Sequence, residues 1–82
     1  MRSDDSAKVD KRLTIIGDQV RRLRKEKTDL SYIDFAAKIG MNKKTYYKVE
    51  RGLEEYYLST LIRIIAFYED ITLESFFRET EL

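Results

Sequence analysis

The sequence predicts an all-α domain of five short helices. None of its 82 residues is proline. Apolar residues recur at intervals of three and four, and strand-like alternation stays short. Cap residues and glycines stand where the apolar stripes begin and end, so the punctuation agrees with the periodicity.

Residues 1–12 are polar and aperiodic and read as a flexible N-terminal arm, which leaves residues 13–82 as one folded domain. Leu13, Ile16, Val20 and Leu23 form the apolar stripe of a first helix whose outer face carries Arg21, Arg22, Lys25 and Lys27. Thr28 and Asp29 break that pattern, and Leu30 is expected to plug back into the core. Ser31 reads as the N-cap of a second helix, with Asp34 as its capping-box partner and Phe35, Ala36 and Ile39 on the buried side. Gly40 suits the left-handed residue after a helix, Asn42 caps a third helix, and Gly52 closes it. The connector "LEEYY" leads to a fourth helix from about Leu58 to Tyr68, with Leu61, Ile64, Ile65 and Tyr68 inward. Thr72 caps a fifth helix carrying Leu73, Phe76 and Phe77.

Composition removes several kinds of chemistry. There is no cysteine and no histidine, which excludes disulfides, thiolate or imidazole metal sites, and His- or Cys-based catalysis. No glycine-rich phosphate loop occurs. The acidic pairs Glu54–Glu55 and Glu69–Asp70 are adjacent residues, which do not build an acid/base couple. The expectation is therefore a non-enzyme without cofactor or metal. The start, "MRSDDSAKVDKR", has no apolar core of a signal peptide, and no stretch approaches a membrane span, so a soluble cytoplasmic protein is expected.

The formal net charge of +1 hides a strong asymmetry. Residues 11–52 carry 12 basic and 5 acidic groups, a net +7, whereas residues 53–82 carry 2 basic and 7 acidic groups, a net −5. One part of the molecule is built for a polyanion and the other is not.

The basic part centres on "GMNKKTYYKVERG", residues 40–52. Advancing about 100° per residue from Lys43 puts Lys44, Tyr47 and Lys48 within about 140° of it. Thr45, Val49 and Tyr46 fall on the other side, as an apolar back. A short helix with such a front fits a major groove about 12 Å wide, where lysine donates to guanine O6 and N7 and a tyrosine hydroxyl reaches base edges or phosphate. Ala36, Gly40, Tyr46 and Val49 occupy positions 5, 9, 15 and 18 counted from Tyr32. This is the spacing at which two helices joined by a tight turn need a small residue, a glycine and two apolar residues.

With "IGDQVRRLRKEK", "LSYIDFAAKIGMNKKTYYKVERG" and the tail "L..LIRIIAFYEDITLESFF" in place, residues 13–77 resemble the Cro/repressor-type helix-turn-helix family, also called XRE-like or lambda-repressor-like. The resemblance implies a compact five-helix fold with the helix-turn-helix in the second and third helices. It implies that Arg24 and Glu50 form an internal ion pair holding the recognition helix to the first helix. It also implies that Lys43, Lys44 and Lys48 read bases with Tyr47 beside them, and that Asn42 contacts phosphate. Where family members often have glutamine, this chain has Tyr32, whose hydroxyl can donate to phosphate. Tyr46 stands where a smaller β-branched residue is commoner, so its ring is expected to be buried with the hydroxyl reaching the edge.

Arg21 and Arg22 are expected to touch the DNA backbone beside the groove. Six of the ten aromatic residues lie beyond Gly52 (Tyr56, Tyr57, Phe67, Tyr68, Phe76 and Phe77), more than one short domain easily hides. A homodimer through this acidic, aromatic half, by the fifth helix and its flanks, would set two recognition helices about 34 Å apart. The function expected is a DNA-binding transcriptional regulator. Family members of this size include phage repressors, restriction–modification controllers and antitoxins that repress their own operon. The competing expectation is a protein-interaction module such as an antitoxin, so a toxin or RNA polymerase stands beside double-stranded DNA as a partner class.

Overall fold

The computed structural model describes residues 10–82. It contains α1 (Lys11–Lys27), α2 (Tyr32–Lys38), α3 (Lys43–Arg51), α4 (Leu58–Ile65) and α5 (Leu73–Thr80), with no strand among the described residues. The arm assigned to residues 1–12 lies outside the described residues except for its end, and there the helix has already begun. Asp10 is the reason: its carboxylate accepts the Arg12 backbone N–H at 2.8 Å and the Arg12 guanidinium at 2.7 and 3.0 Å. A side-chain acceptor at the N-cap satisfies one of the amides a helix start leaves unpaired.

The remaining boundaries follow from local chemistry. Thr28 ends α1 by donating its hydroxyl to the Arg24 carbonyl at 2.7 Å and accepting the Leu30 N–H at 3.1 Å. Leu30 then packs half-buried against the core. Ser31 accepts the Asp34 N–H at 3.1 Å. The chain leaves α2 through Gly40 at φ +69° and α3 through Gly52 at φ +63°, the left-handed conformation in which a side chain is strained. Thr72 and Ser75 complete a reciprocal capping box at the start of α5.

The fourth helix ends at Ile65, three residues before the expected Tyr68. Its last turn tightens, with Phe67 N–H bonded to Ile64 O at 3.3 Å and Tyr68 N–H to Ile65 O at 2.9 Å. These i→i+3 bonds pull Tyr68 inward, where it is 6 % exposed.

Phe35 sits at the centre of the core. Its ring lies 5.1 Å from Tyr46, 4.8 Å from Phe67 and 5.8 Å from Tyr68 between centroids. Helices α2, α3 and the turn after α4 thus meet on one aromatic cluster, with Val20 and Leu23 of α1 and Phe76 of α5 closing the sides. Ala36 is fully buried, the small residue at which α2 and α3 touch. Helices α1 and α3 approach most closely at Gly17, where an added Cβ would stand 2.5 Å from the carbonyl oxygens of both Val49 and Glu50.

Candidate nucleic-acid interface

At nine residues, α3 is too short to hold itself together in water, so tertiary contacts fix its pose. Asn42 starts it by accepting the Lys44 N–H at 2.8 Å. Gly52 ends it, and the Leu53 N–H returns to the Lys48 carbonyl at 3.1 Å. The buried side comprises Tyr46, Val49 and Glu50. Thr45, expected on this back, is exposed, because its direction lies about 90° from the centre of the arc those three residues define.

Glu50 is held by a two-pronged bond from α1. Arg24 Nε donates to Glu50 Oε2 at 2.7 Å and Arg24 Nη2 to Oε1 at 3.1 Å, while Nη1 donates to the Leu30 carbonyl at 2.9 Å. The two residues are only 8 % and 6 % exposed. The structure therefore brings together the two residues that the resemblance pairs. Bonding to Glu50 raises the pKa of Arg24, so the guanidinium stays charged throughout. The Tyr46 hydroxyl is buried rather than at the surface and lies outside hydrogen-bond geometry. Burial, then the neighbouring Glu50 carboxylate, pushes its pKa well above that of a free tyrosine. Burial does the same to Tyr68.

On the front, Lys43 and Lys44 are exposed and join no ion pair among the described residues. Lys48 is half-buried, with Nζ 3.4 Å from Glu54 Oε2. Tyr47 leans to one edge: its ring is 5.2 Å from that of Tyr32 and 5.3 Å below the Arg51 guanidinium. Tyr32 thereby braces α3 by ring packing. Asn42 spends its carbonyl oxygen on the cap and keeps its amide group outward. Arg21 is exposed. Arg22 is exposed too, bonded to Gln19 and 3.6 Å from the Glu79 carboxylate of α5.

Three residues at or behind this surface carry no signal in the apolar and charge pattern read above. Arg51 points within about 20° of Lys44 on the helical wheel, a rotation legible in "KKTYYKVER" once carried one turn further. Gly17 is an isolated glycine inside a helical pattern, which commonly marks a close packing contact. Arg63 of α4 donates to the Ile39 and Gly40 carbonyls at 3.1 and 3.0 Å, and nothing in the sequence signals that reach.

A short α2, a four-residue turn and an exposed, capped α3 define a helix-turn-helix protein, and the comparisons agree. The helix-turn-helix family model matches residues 20–76. Over 65 residues the chain is 40% identical to Control protein C.MunI of Mycoplasma sp, covering 79% of this chain and 86% of that protein. The chain belongs to the helix-turn-helix family, of Cro/repressor or XRE-like type, and has its lambda-repressor-like all-α fold. No solved structure matches it at a significant level. Among the described residues no helix is long and apolar enough to cross a membrane.

Proposed function

We propose that this protein is a non-enzymatic transcriptional regulator of the cytoplasm that inserts α3 into the major groove of double-stranded DNA. Lys43, Lys44 and Lys48 reach base edges with Tyr47 beside them. Asn42, Tyr32, Arg21 and Arg22 meet the phosphates, joined by Arg51. The observation that carries this reading is the exposed ammonium face of a helix clamped from behind by the buried Arg24–Glu50 bond. The N-terminus of α3 adds the positive end of its dipole, which favours phosphate near Lys43 and Lys44. Similarity to a protein named a control protein supports regulation over toxin neutralisation.

Two copies acting together is part of the proposal. Most of the exposed apolar surface of the C-terminal half lies on α4 and its entrance, with Leu82 after α5 at 52 % exposed. Leu58 and Ile62, one helical turn apart, are 57 % and 45 % exposed beside Tyr57 at 83 %. A contiguous patch of this kind is a contact surface, and a two-fold dimer about it would present two α3 helices to successive grooves. A monomer in sedimentation at high micromolar concentration, with and without duplex, would remove dimerisation from the proposal.

The test of the site is selection of bound sequences from random duplexes, followed by Lys44→Ala with Lys48→Ala. The expected result is loss of duplex binding with an unchanged thermal melt. Retained affinity for the selected duplex would refute the assignment of α3.

A further inference from the structure

We infer that Glu54 determines specificity by withholding Lys48 from phosphate, so that Lys48 serves base edges rather than indiscriminate backbone contact. The inference rests on the DNA-binding reading of α3.

The chain has little freedom in how it leaves α3. Gly52 is left-handed, and a Cβ there would stand 2.7 Å from the backbone N and Cα of Thr14. The Leu53 N–H is tied to the Lys48 carbonyl at 3.1 Å. Two residues past that locked turn, the Glu54 carboxylate comes back along α3 to within 3.4 Å of Lys48 Nζ. Lys44, Lys48, Glu54, Glu55 and Tyr56 all border one shallow hollow at this flank. Lys43 and Lys44 have no acidic partner among the described residues, so one of the three reading lysines is singled out.

The chemistry of the groove gives the pairing its consequence. Lysine is a point charge on a flexible stem and binds any phosphate within reach. A carboxylate beside it repels phosphate and weakens that option. It leaves guanine O6 and N7 available, since these are neutral acceptors, and it can itself accept from a cytosine or adenine amino group. Random docking therefore loses more from Glu54 than site-specific docking does. A front of three lysines, poor at geometric selection on its own, gains selectivity this way.

The experiment compares wild type, Glu54→Gln, Glu55→Gln, and Glu54→Gln within Lys48→Ala, each on its selected duplex and on an unrelated one. Glu54→Gln should raise affinity for the unrelated duplex on the order of fivefold near 0.1 M salt. It should also steepen the slope of log K against log salt by about 0.9, the value for one more phosphate neutralised. Affinity for the selected duplex should rise less, so the specificity ratio falls. Within Lys48→Ala the same change should do nothing. An equal effect from Glu55→Gln would overturn the inference, because it would show general charge rather than the pairing. A Glu54→Gln variant indistinguishable from wild type would overturn it as well. Absence of duplex binding by the wild-type chain would refute the DNA-binding reading and this inference with it, whereas the other failures leave that reading intact.

Discussion

Replacing Arg24 by methionine tests the clamp behind α3. The change keeps the length of the stem and removes two bonds to Glu50 and one to the Leu30 carbonyl. It leaves the Glu50 carboxylate 6 % exposed, with no cation against it. Breaking a buried pair from one side costs about 3–5 kcal/mol, since the stranded charge must be desolvated without compensation. The lower end of that range, near 3 kcal/mol, already suffices for the test. A domain of this length has roughly 4–12 kcal/mol of stability in total. A loss of about 3 kcal/mol therefore lowers the melting temperature by at least about 12 °C. Urea unfolding followed by far-UV circular dichroism measures it. Removing both charges, as Arg24→Met with Glu50→Leu, should cost clearly less than the two single changes together, because no ion remains stranded. A single substitution costing under about 1 kcal/mol, or costs that simply add, would refute the view that this bond is buried and shared.

Gly17→Ala gains about 1 kcal/mol of helix propensity but drives a methyl group into two backbone carbonyls of α3 at 2.5 Å. Backbone atoms cannot rotate aside, so a net loss of about 1–3 kcal/mol in urea unfolding is expected; a stabilised variant would disprove the close approach. Tyr46 and Tyr68 have raised pKa values in the folded protein, so their contribution is complete below the unfolded value of about 10 and disappears as pH climbs past it. Each of the two should cost about 1.4 kcal/mol of stability by pH 11, with most of that loss above pH 10, and Tyr46→Phe should remove its share of it. Urea midpoints collected from about pH 9 to 11 decide the matter.

Where chain direction changes, single residues declare it, and that part of the fold was readable. Ser31, Gly40, Asn42 and Thr72 each act through their own backbone or a neighbour two or three residues away, so a one-dimensional reading contains the turn or cap they make, whereas Gly52 is legible as a turn but not in its close approach to the Thr14 backbone. The end of α4 is not legible in the sequence because no breaker stands there. Tertiary burial of Tyr68 tightens that turn, and burial is a long-range fact. Arg24 and Glu50, 26 residues apart, were paired by family resemblance and not by spacing. Thr45 and Arg51 are not legible from apolar pattern for one reason: the buried arc of α3 includes a charged residue, Glu50, which a purely apolar criterion omits. Once Glu50 counts as inward, the wheel turns, Thr45 leaves the back and Arg51 joins the front.

The contacts that hold α3 are unevenly placed along it. Gly17 under the Val49 and Glu50 carbonyls, Gly52 against the Thr14 backbone, and Arg24 on Glu50 all grip its C-terminal half. The first turn, which carries Lys43 and Lys44, has the Asn42 cap and the Met41 N–H bonded to the Ala36 carbonyl at 2.8 Å. The buried Tyr46 ring anchors that turn on Phe35, and a further restraint comes from outside the motif, through Arg63, which occupies the Ile39 and Gly40 carbonyls that the end of α2 leaves open. A cation at a helix C-terminus also sits favourably against the helix dipole. Arg63 stands next to Ile62 on α4, beside the exposed apolar stripe. The element with the uncovered surface is thus bonded directly to the turn that sets the angle of α3. A partner seated on α4 would bear on the leading lysines through one side chain, with no need to disturb the core.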